Sequence, residues 1–270
     1  MAVETTTFSN NSADTWFRDI MFDCVLCPRA CHVNRLAGQT GYCGQTAELM
    51  AARASLHYWE EPCISGTSGS GTVFFSGCNL RCVFCQNHNI ALGKAGRVIA
   101  PEHLAEIFLQ LQEQGANNIN LVTPTHFLPQ IVIALEQAKQ QGLHLPIVYN
   151  TGSYESPEAL RHLEGLVDIY LPDLKYFSPE LSTAYSHAPD YFETACAAIS
   201  EMYRQVGDSV IDEDTGLMQH GMIVRHLLLP GQTKDSKKIL RYLHETYGDH
   251  IYISIMNQYT PLPQVADIEV

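Results

Sequence analysis

The sequence has no long hydrophobic run and little positive charge. No stretch of eighteen apolar residues occurs in the 270-residue chain, and residues 1–11 have neither a basic start nor an apolar core. We therefore expect no membrane span, no secretory signal and a cytoplasmic location. Only 16 Lys and Arg oppose 29 Asp and Glu, which gives a formal net charge of −13. Such a surface repels nucleic acid, so we expect no nucleic-acid partner.

Two common functional patterns are also missing. The twelve histidines are scattered, and none is grouped in sequence with carboxylates as a zinc-dependent hydrolase would need. The glycine-rich run at residues 66–71 precedes a predicted strand, whereas the dinucleotide fingerprint G-x-G-x-x-G follows one. A flexible turn that leads into the strand is the better interpretation of this run.

Cysteine, by contrast, is abundant. The chain has nine cysteines, and seven of them fall into two groups, at residues 24–43 and 78–85. In a cytoplasmic protein this indicates metal or redox chemistry more than disulfides. Because 46% of the residues are hydrophobic, the chain can also bury a large core.

Short apolar runs alternate with segments of helical period, which is typical of repeated βα units. We predict six strands, at residues 72–76, 119–123, 147–149, 167–171, 223–229 and 251–255. The predicted fold class is α/β, a partial (βα)6 TIM-like barrel with a small N-terminal Cys-rich module. We expect a loosely ordered leader at residues 1–23, the Cys-rich module and a connector at 24–71, and the barrel at 72–270.

The group Cys78, Cys82 and Cys85 has the spacing C-x3-C-x2-C directly after the first predicted strand. A four-iron four-sulfur (4Fe-4S) cluster normally takes four Cys ligands, so three leave one iron open to a group that is not protein. Three small buried residues on one helix face are the simplest alternative, but Gly77 and Asn79 are poor helix formers. Zinc is the other alternative, although it usually takes four ligands, or three plus water.

These cysteines, with the aromatic Phe84 before Cys85, resemble the signature of the radical S-adenosylmethionine (SAM) enzymes. The resemblance implies that Cys78, Cys82 and Cys85 bind a 4Fe-4S cluster whose open iron holds SAM, with Phe84 beside the cofactor. It also implies an oxidoreductase in which the cluster reductively cleaves SAM. The resulting 5'-deoxyadenosyl radical abstracts hydrogen from the substrate.

Polar residues follow the predicted strands at the end where a barrel carries its site. A SAM pocket needs acceptors for the amino group and donors for the carboxylate, and these residue types supply both. Arg225 lies within the fifth strand, next to His226, and we expect Arg225 to be the inward-facing one of the two. The predicted cofactor-binding residues are Phe84, Thr123, Thr125, Asn150, Thr151, Asp173, Lys175, Arg225 and Asn257. His126, next to Thr125, is expected to be a structural hydrogen-bonding residue.

Within the superfamily the chain most resembles the homologues of pyruvate formate-lyase activating enzyme. The similar stretches include residues 57–62, 73–77, 124–126 and 170–176. This resemblance implies a glycyl-radical enzyme as protein substrate and an electron donor such as flavodoxin or ferredoxin. One departure is that Thr123 to Thr125 stand where many radical SAM enzymes have Gly-Gly-Glu, which binds the methionine amino group. There are two alternatives. The chain could modify another protein or a small molecule, or it could be a non-catalytic iron-sulfur or zinc protein.

The second group, Cys24, Cys27, Cys31 and Cys43, offers four thiolates in a glycine-rich segment. Four thiolates suit either a structural zinc ion or an auxiliary iron-sulfur cluster, and the spacing does not decide between them. Four free thiols without metal are the third possibility. Glu60 and Glu61 form a carboxylate pair, which we interpret as a solvated helix end.

Overall fold

The computed structural model describes residues 12–262 of the chain. Within this range one nine-stranded sheet carries helices between its strands. The strands are β1 (Met50–His57), β2 (Ser70–Phe75), β3 (Arg97–Val98), β4 (Ile119–Val122), β5 (Ile147–Thr151), β6 (Ile169–Pro172), β7 (Val210–Ile211), β8 (Met218–Leu227) and β9 (Tyr252–Met256). The helices are α1 (Ser12–Phe22), α2 (Pro62–Ser65), α3 (His88–Ala91), α4 (Pro101–Glu113), α5 (Leu128–Gln140), α6 (Pro157–Leu160), α7 (Pro179–Ser186), α8 (Tyr191–Val206) and α9 (Thr233–Tyr247).

Six strands run parallel in chain order, from β2 through β4, β5, β6 and β8 to β9. These are the six strands predicted from the sequence. The α/β fold class is therefore confirmed, and the six parallel strands agree with a partial (βα)6 barrel. None of the helices in residues 12–262 is both long and apolar enough to cross a lipid bilayer.

Two elements differ from the sequence prediction. Residues 12–22 were expected in a loosely ordered leader but form α1, because Phe17 and Met21 are buried on one face and Trp16 stacks on His162. The expected residues 1–11 of that leader lie outside the described range. Part of the expected connector forms β1, which pairs antiparallel with β2. A separate N-terminal Cys-rich module stays a prediction.

The sheet has an interior face and a helix-covered face, and alternate residues of each strand belong to each. Val148 of β5, Leu171 of β6 and Ile223 of β8 pack together in the barrel interior. Ile64 of α2 joins this cluster and closes the barrel at the amino-terminal ends of the strands, where the Asn118 side chain donates to the Ile64 carbonyl. The opposite end of the strands is left for the functional site.

Candidate functional site

The three-cysteine loop begins where β2 ends and packs tightly against the N-terminal segment. Gly77 has a φ of 91°, and a Cβ at this position would lie 2.6 Å from the Gln45 side chain and 2.8 Å from the Cys43 carbonyl. Only glycine fits both this conformation and this space. The buried His126 side chain contacts the Ser76 carbonyl through Nε2 at 2.6 Å, so it is the structural residue we expected.

The thiols of this loop are set among hydrogen-bond donors. The Leu80 amide donates to Cys78 Sγ at 3.4 Å, and the Ser186 hydroxyl donates to Cys82 Sγ at 3.0 Å. Burial, and after it the neighbouring Cys82, raises the pKa of both Cys78 and Cys85, and that of Cys85 reaches about 12. Thiolates at these positions therefore need positive charge beside them. Iron would provide that charge, so the donor set fits a thiolate-bound iron-sulfur group.

Phe84 is buried and anchors the loop. Its ring makes edge contacts with Tyr176 and Tyr185, at centroid distances of 6.4 and 6.2 Å. Such contacts stabilise aromatic pairs beyond the burial of their area. Phe84 therefore fixes the loop on α7 and the segment before it, and its predicted contact with a cofactor stays a prediction.

Arg225 is the centre of a buried ionic network in the barrel interior. It follows Ile223 by two residues and therefore shares its interior face. Its Nε donates to Asp173 Oδ1 at 2.8 Å, Nη1 donates to Glu60 Oε1 at 2.8 Å and Nη2 donates to Asn150 Oδ1 at 2.7 Å. Glu60 Oε2 in turn accepts from Asn150 Nδ2 at 2.9 Å. All three guanidinium nitrogens are thus occupied, which fixes the side chain in one position.

Lys175 links this network to the cysteine loop. Its Nζ donates to Asp173 Oδ2 at 2.6 Å. The pKa of Lys175 is raised to about 12, because Asp173 and Cys82 outweigh the opposing effect of burial. The Tyr191 hydroxyl holds this segment, since it accepts from the Lys175 amide and donates to the Asp173 carbonyl. Lys175 therefore carries a charged ammonium that interacts electrostatically with Cys82.

A polar cavity of about 540 Å³ opens beside this network. Its lining includes Arg225, Asn150, Glu60, Trp59 and Asn87, the last of which lies two residues after Cys85. The cavity lies in the size range of small-molecule sites. Gln86, also at its wall, donates to the Gln258 carbonyl at 3.2 Å and so ties the cysteine loop to the segment after β9. The cavity thus extends from the charged interior to Gln86 and Asn87, the two residues that follow Cys85.

Two of the predicted cofactor-binding threonines point elsewhere. Thr151 is two residues after Tyr149, which faces the helices, and its hydroxyl donates to the buried carboxylate of Glu155. Thr125 also donates to Glu155, at 2.6 Å. In this structure both hydroxyls donate to Glu155 and do not line the cavity. This geometry does not favour their predicted role in binding SAM.

Glu155 makes the stability of the protein depend on pH. Burial raises its pKa to about 7, against the opposing hydrogen bonds from Thr125, Thr151 and Tyr149. Between about pH 4.5 and 7 the folded chain therefore keeps a proton that the unfolded chain has released, so this group stabilises the fold at low pH and stability falls as pH rises. In the wild type we expect the free energy of unfolding to fall by an amount on the order of 3 kcal/mol across this interval because of Glu155. Glu155→Gln should remove this fall, as measured by urea denaturation at several pH values.

The matched control for this prediction is Glu113→Gln on the exposed side of α4. It should leave the wild-type pH profile unchanged. An identical pH profile for Glu155→Gln and the wild type would contradict the assignment of the pH dependence to Glu155.

Thr123 and Asn257 lie at the strand ends. Thr123 has a left-handed φ of 57°, and its amide donates to the Asn150 carbonyl at 2.9 Å. Asn257 follows β9 and is exposed, while the next residue, Gln258, lines the cavity. The structure therefore brings Asn150, Asp173, Lys175 and Arg225 together and leaves Asn257 apart. A role in SAM binding stays a prediction for each of these residues.

Glu60 and Glu155 are two interior acids whose contacts the sequence interpretation missed. Glu60 was expected at a solvated helix end, but its side chain is only 11% exposed and bonded to Arg225. It belongs to the stretch 57–62, whose resemblance to the activating-enzyme homologues was the available signal. Glu155 follows a predicted strand by several residues, and no pattern marked it.

The four N-terminal cysteines lie beside the three-cysteine loop. Cys24 and Cys43 are buried, and Cys27 and Cys31 are partly buried. Burial raises the pKa of Cys27 to about 12, although hydrogen bonds from the Arg29 backbone and the Asn79 side chain oppose it. In residues 12–262, no three or more His, Cys, Asp or Glu side chains are arranged to hold a single metal ion.

The comparison with known families decides the identity of the fold. The sequence profile of the Radical SAM superfamily matches residues 72–243, more than half of the chain. The chain belongs to the radical SAM superfamily. Membership in it implies an enzyme that uses a 4Fe-4S cluster and SAM.

Individual relatives of this radical SAM protein are distant. An uncharacterised protein of Methanocaldococcus jannaschii is 28% identical over 254 residues, which cover 90% of this chain and 68% of that protein. The pyruvate formate-lyase-activating enzyme of Clostridium pasteurianum is 29% identical over 121 residues, 42% of this chain and 48% of that enzyme. The solved structure "Native anSMEcpe with bound AdoMet" has a TM-score of 0.46 at 14% identity, covering 69% of this chain and 50% of that chain. The chain spans about half the length of the last two proteins.

Proposed function

We propose that Cys78, Cys82 and Cys85 hold the 4Fe-4S cluster and that the cavity beside them receives SAM and substrate. When bound, the cluster supplies the electron that cleaves SAM reductively to the 5'-deoxyadenosyl radical, which abstracts hydrogen from the substrate. The observation that supports this assignment is that Gln86 and Asn87, which directly follow Cys85, line the same cavity as Arg225, Asn150 and Glu60.

The charged residues of the chain would bind and orient SAM. Lys175 is the candidate for its carboxylate, because its ammonium interacts electrostatically with Cys82 and, among the ion pairs of residues 12–262, has Asp173 as its only acidic partner. Arg225 holds Asp173 and Asn150 in position and is itself held by Glu60. This arrangement balances two cations, Arg225 and Lys175, against two carboxylates, Glu60 and Asp173, so bound SAM would bring the one uncompensated charge, that of its sulfonium.

We expect Lys175→Met to weaken SAM binding by roughly 10- to 100-fold, because a hydrogen bond to a charged group contributes about 1.5–3 kcal/mol. Equilibrium dialysis of labelled SAM against reconstituted protein measures this directly. Iron content should be matched between the samples. The control is Lys139→Met on α5, whose exposed ammonium donates to the Gly165 and Leu166 carbonyls. Equal SAM affinity in Lys175→Met and the wild type would remove Lys175 from the proposed site.

For the substrate, we propose a glycine of a partner glycyl-radical enzyme. The partial identity to the clostridial activating enzyme supports this, and so does the open side of the cavity at Trp59, which is 89% exposed. An accessible cavity is required if a loop of another protein is to reach the cofactor. A flavodoxin or ferredoxin is the proposed electron donor.

Electron paramagnetic resonance tests the substrate assignment. The reduced protein is mixed with SAM and a glycyl-radical enzyme encoded beside it, and the proposal predicts a glycyl radical on the partner. SAM cleavage without any glycyl radical would contradict the activating role while preserving the radical SAM assignment. It would then favour the alternative, modification of another protein or of a small molecule, for which the cavity of about 540 Å³ is large enough.

The four N-terminal cysteines are proposed as a second metal site, for which zinc and an auxiliary iron-sulfur cluster are the two candidates. Neither is needed for the cleavage of SAM proposed above.

A further inference from the structure

Acidic residues are distributed unevenly along the chain. None of the 29 Asp and Glu lies in residues 62–101 or in residues 24–47, and these are the two longest stretches of the sequence without an acidic residue. The first contains Cys78, Cys82 and Cys85, and the second contains the four N-terminal cysteines. Both stretches do contain basic residues. The cysteines therefore lie in parts of a strongly acidic chain where the charged residues are all basic.

Cations of the two stretches meet around Tyr42. The guanidinium groups of Arg29 and Arg81 lie over the Tyr42 ring, at 3.9 and 5.2 Å from its centroid. The exposed Lys94 follows α3, and its amide donates to the Asn89 carbonyl of that helix at 2.9 Å. None of the ion pairs found within residues 12–262 involves Arg81 or Lys94. Within these residues, no carboxylate neutralises the two cations.

A second, smaller cavity adjoins the cysteine loop next to these cations. It has a volume of about 230 Å³ and is lined by Arg81, Cys82, Val83, His88, Ala91 and Leu92. In the described range it shares no lining residue with the cavity in the barrel interior, which Gln86 and Asn87 line. Cys82 is the one cysteine of the loop at its wall. We call the six lining residues and Lys94 the outer face of the loop.

The proposed reaction needs access to the loop from two directions. SAM and substrate are proposed to occupy the cavity in the barrel interior, and each reductive cleavage also needs one electron from a donor. A donor that docked at the barrel cavity would compete with the substrate for the same opening. A donor on the outer face would approach Cys82, a proposed cluster ligand, without blocking that opening. The outer face combines apolar Val83, Ala91 and Leu92 with nearby cations, a composition that suits a protein interface.

We propose that the outer face is the docking site of the electron donor, a small acidic protein that carries a one-electron cofactor. This inference rests on the proposed function. Because the chain has a net charge of −13, most of its surface repels an acidic donor, and attraction at Arg81 and Lys94 steers the donor to the loop. Electron-transfer complexes have small interfaces, so a few charges suffice. One electron then passes to the cluster, so the donor is oxidised and the cluster reduced by one electron each, and no covalent bond changes.

Binding of an acidic flavodoxin to the full chain tests this site. Lys94→Glu should raise the Kd, measured by isothermal titration calorimetry, by roughly 3- to 10-fold at low ionic strength, because it replaces attraction with repulsion. Lys94→Gln should raise it less, and high salt should remove both differences. The control is Lys139→Glu, which should leave the Kd nearly unchanged. Lys139 donates to the Gly165 and Leu166 carbonyls, which precede β6 at the opposite end of the barrel.

Two further measurements locate the complex and its role. Zero-length carbodiimide cross-linking joins a lysine to a carboxylate in contact with it, so Lys94 should be joined to the flavodoxin and Lys139 should not. Reduced flavodoxin should reduce reconstituted Lys94→Glu more slowly than the wild type. A small uncharged photoreductant should reduce the two proteins at the same rate, because it needs no docking site.

Three results would overturn the docking site. These are an equal Kd for the wild type and Lys94→Glu at low ionic strength, equal weakening by Lys94→Glu and Lys139→Glu, and no binding of flavodoxin to the wild type. The binding measurements need neither SAM nor a cluster. Failure of the reconstituted wild type to cleave SAM with the small photoreductant would instead count against the proposed function.

Discussion

Replacement of Cys82 by alanine is expected to abolish the cleavage of SAM to 5'-deoxyadenosine and methionine under a strong reductant. With three ligands in the proposed cluster, loss of one leaves two thiolates, which cannot hold the cubane in the loop. Cys82 is also the buried cysteine of the three. Its sulfur accepts a hydrogen bond from the Ser186 hydroxyl and helps to raise the pKa of Lys175. The amount of 5'-deoxyadenosine formed by the anaerobically reconstituted protein is measured by chromatography. The variant is expected to form it no faster than the reductant does in the absence of protein.

Two controls make this result specific. Cys196→Ala removes a cysteine from α8 and should leave the cleavage rate unchanged. Near-ultraviolet circular dichroism should show that Cys82→Ala keeps the fold. Undiminished product formation by a folded Cys82→Ala variant would show that the loop has been assigned wrongly.

The second large effect is expected for the stability of an Arg225→Met variant. This change leaves the carboxylates of Asp173 and Glu60 in the interior without their shared cation, although Lys175 still neutralises Asp173. Breaking a buried ion pair by removing one partner typically costs about 3–5 kcal/mol, because the remaining charge is left uncompensated. Chemical denaturation of the apoprotein measures the loss independently of the cluster.

Arg204→Met is the matched control, because Arg204 also pairs with two carboxylates, Glu164 and Glu201, but lies on the surface. Exposed ion pairs contribute little, so this variant should change stability much less than Arg225→Met. Equal losses for the two variants would contradict the buried role of Arg225. A double variant Glu60→Gln, Arg225→Met should recover part of the loss, because it removes one of the stranded charges.

Most of the barrel could be predicted from the sequence because four of its parallel strands, β2, β4, β5 and β6, are largely buried on both faces. Such strands are short apolar runs, and the run at residues 119–122 appears as β4 with nearly the predicted bounds. In contrast, β1 contains Arg53 and three alanines and sits near the edge of the sheet, so its sequence lacks the apolar run that marks an interior strand. The strand signal therefore comes from the apolar run: the partly exposed β9 has one and was predicted, whereas β1 has none and was missed.

The site could be predicted only in part, for a similar reason. Asp173, Lys175 and Arg225 follow or interrupt apolar strands, so their position at the mouth of the barrel follows from topology. Glu60 reaches Arg225 across 165 residues of sequence, and no local pattern carries that information. Thr151 was placed at the cavity because it ends a strand, but alternation from Tyr149 turns it toward the helices.

The most direct test of the central claim is electron-nuclear double resonance on the reduced protein with SAM labelled with nitrogen-15 in its amino group. If the cluster of Cys78, Cys82 and Cys85 has an open iron that binds SAM, the labelled nitrogen will show hyperfine coupling to the cluster, and the coupling will be absent in Cys82→Ala. A fully reconstituted, reduced wild type that shows no coupling in the presence of saturating SAM would contradict this account.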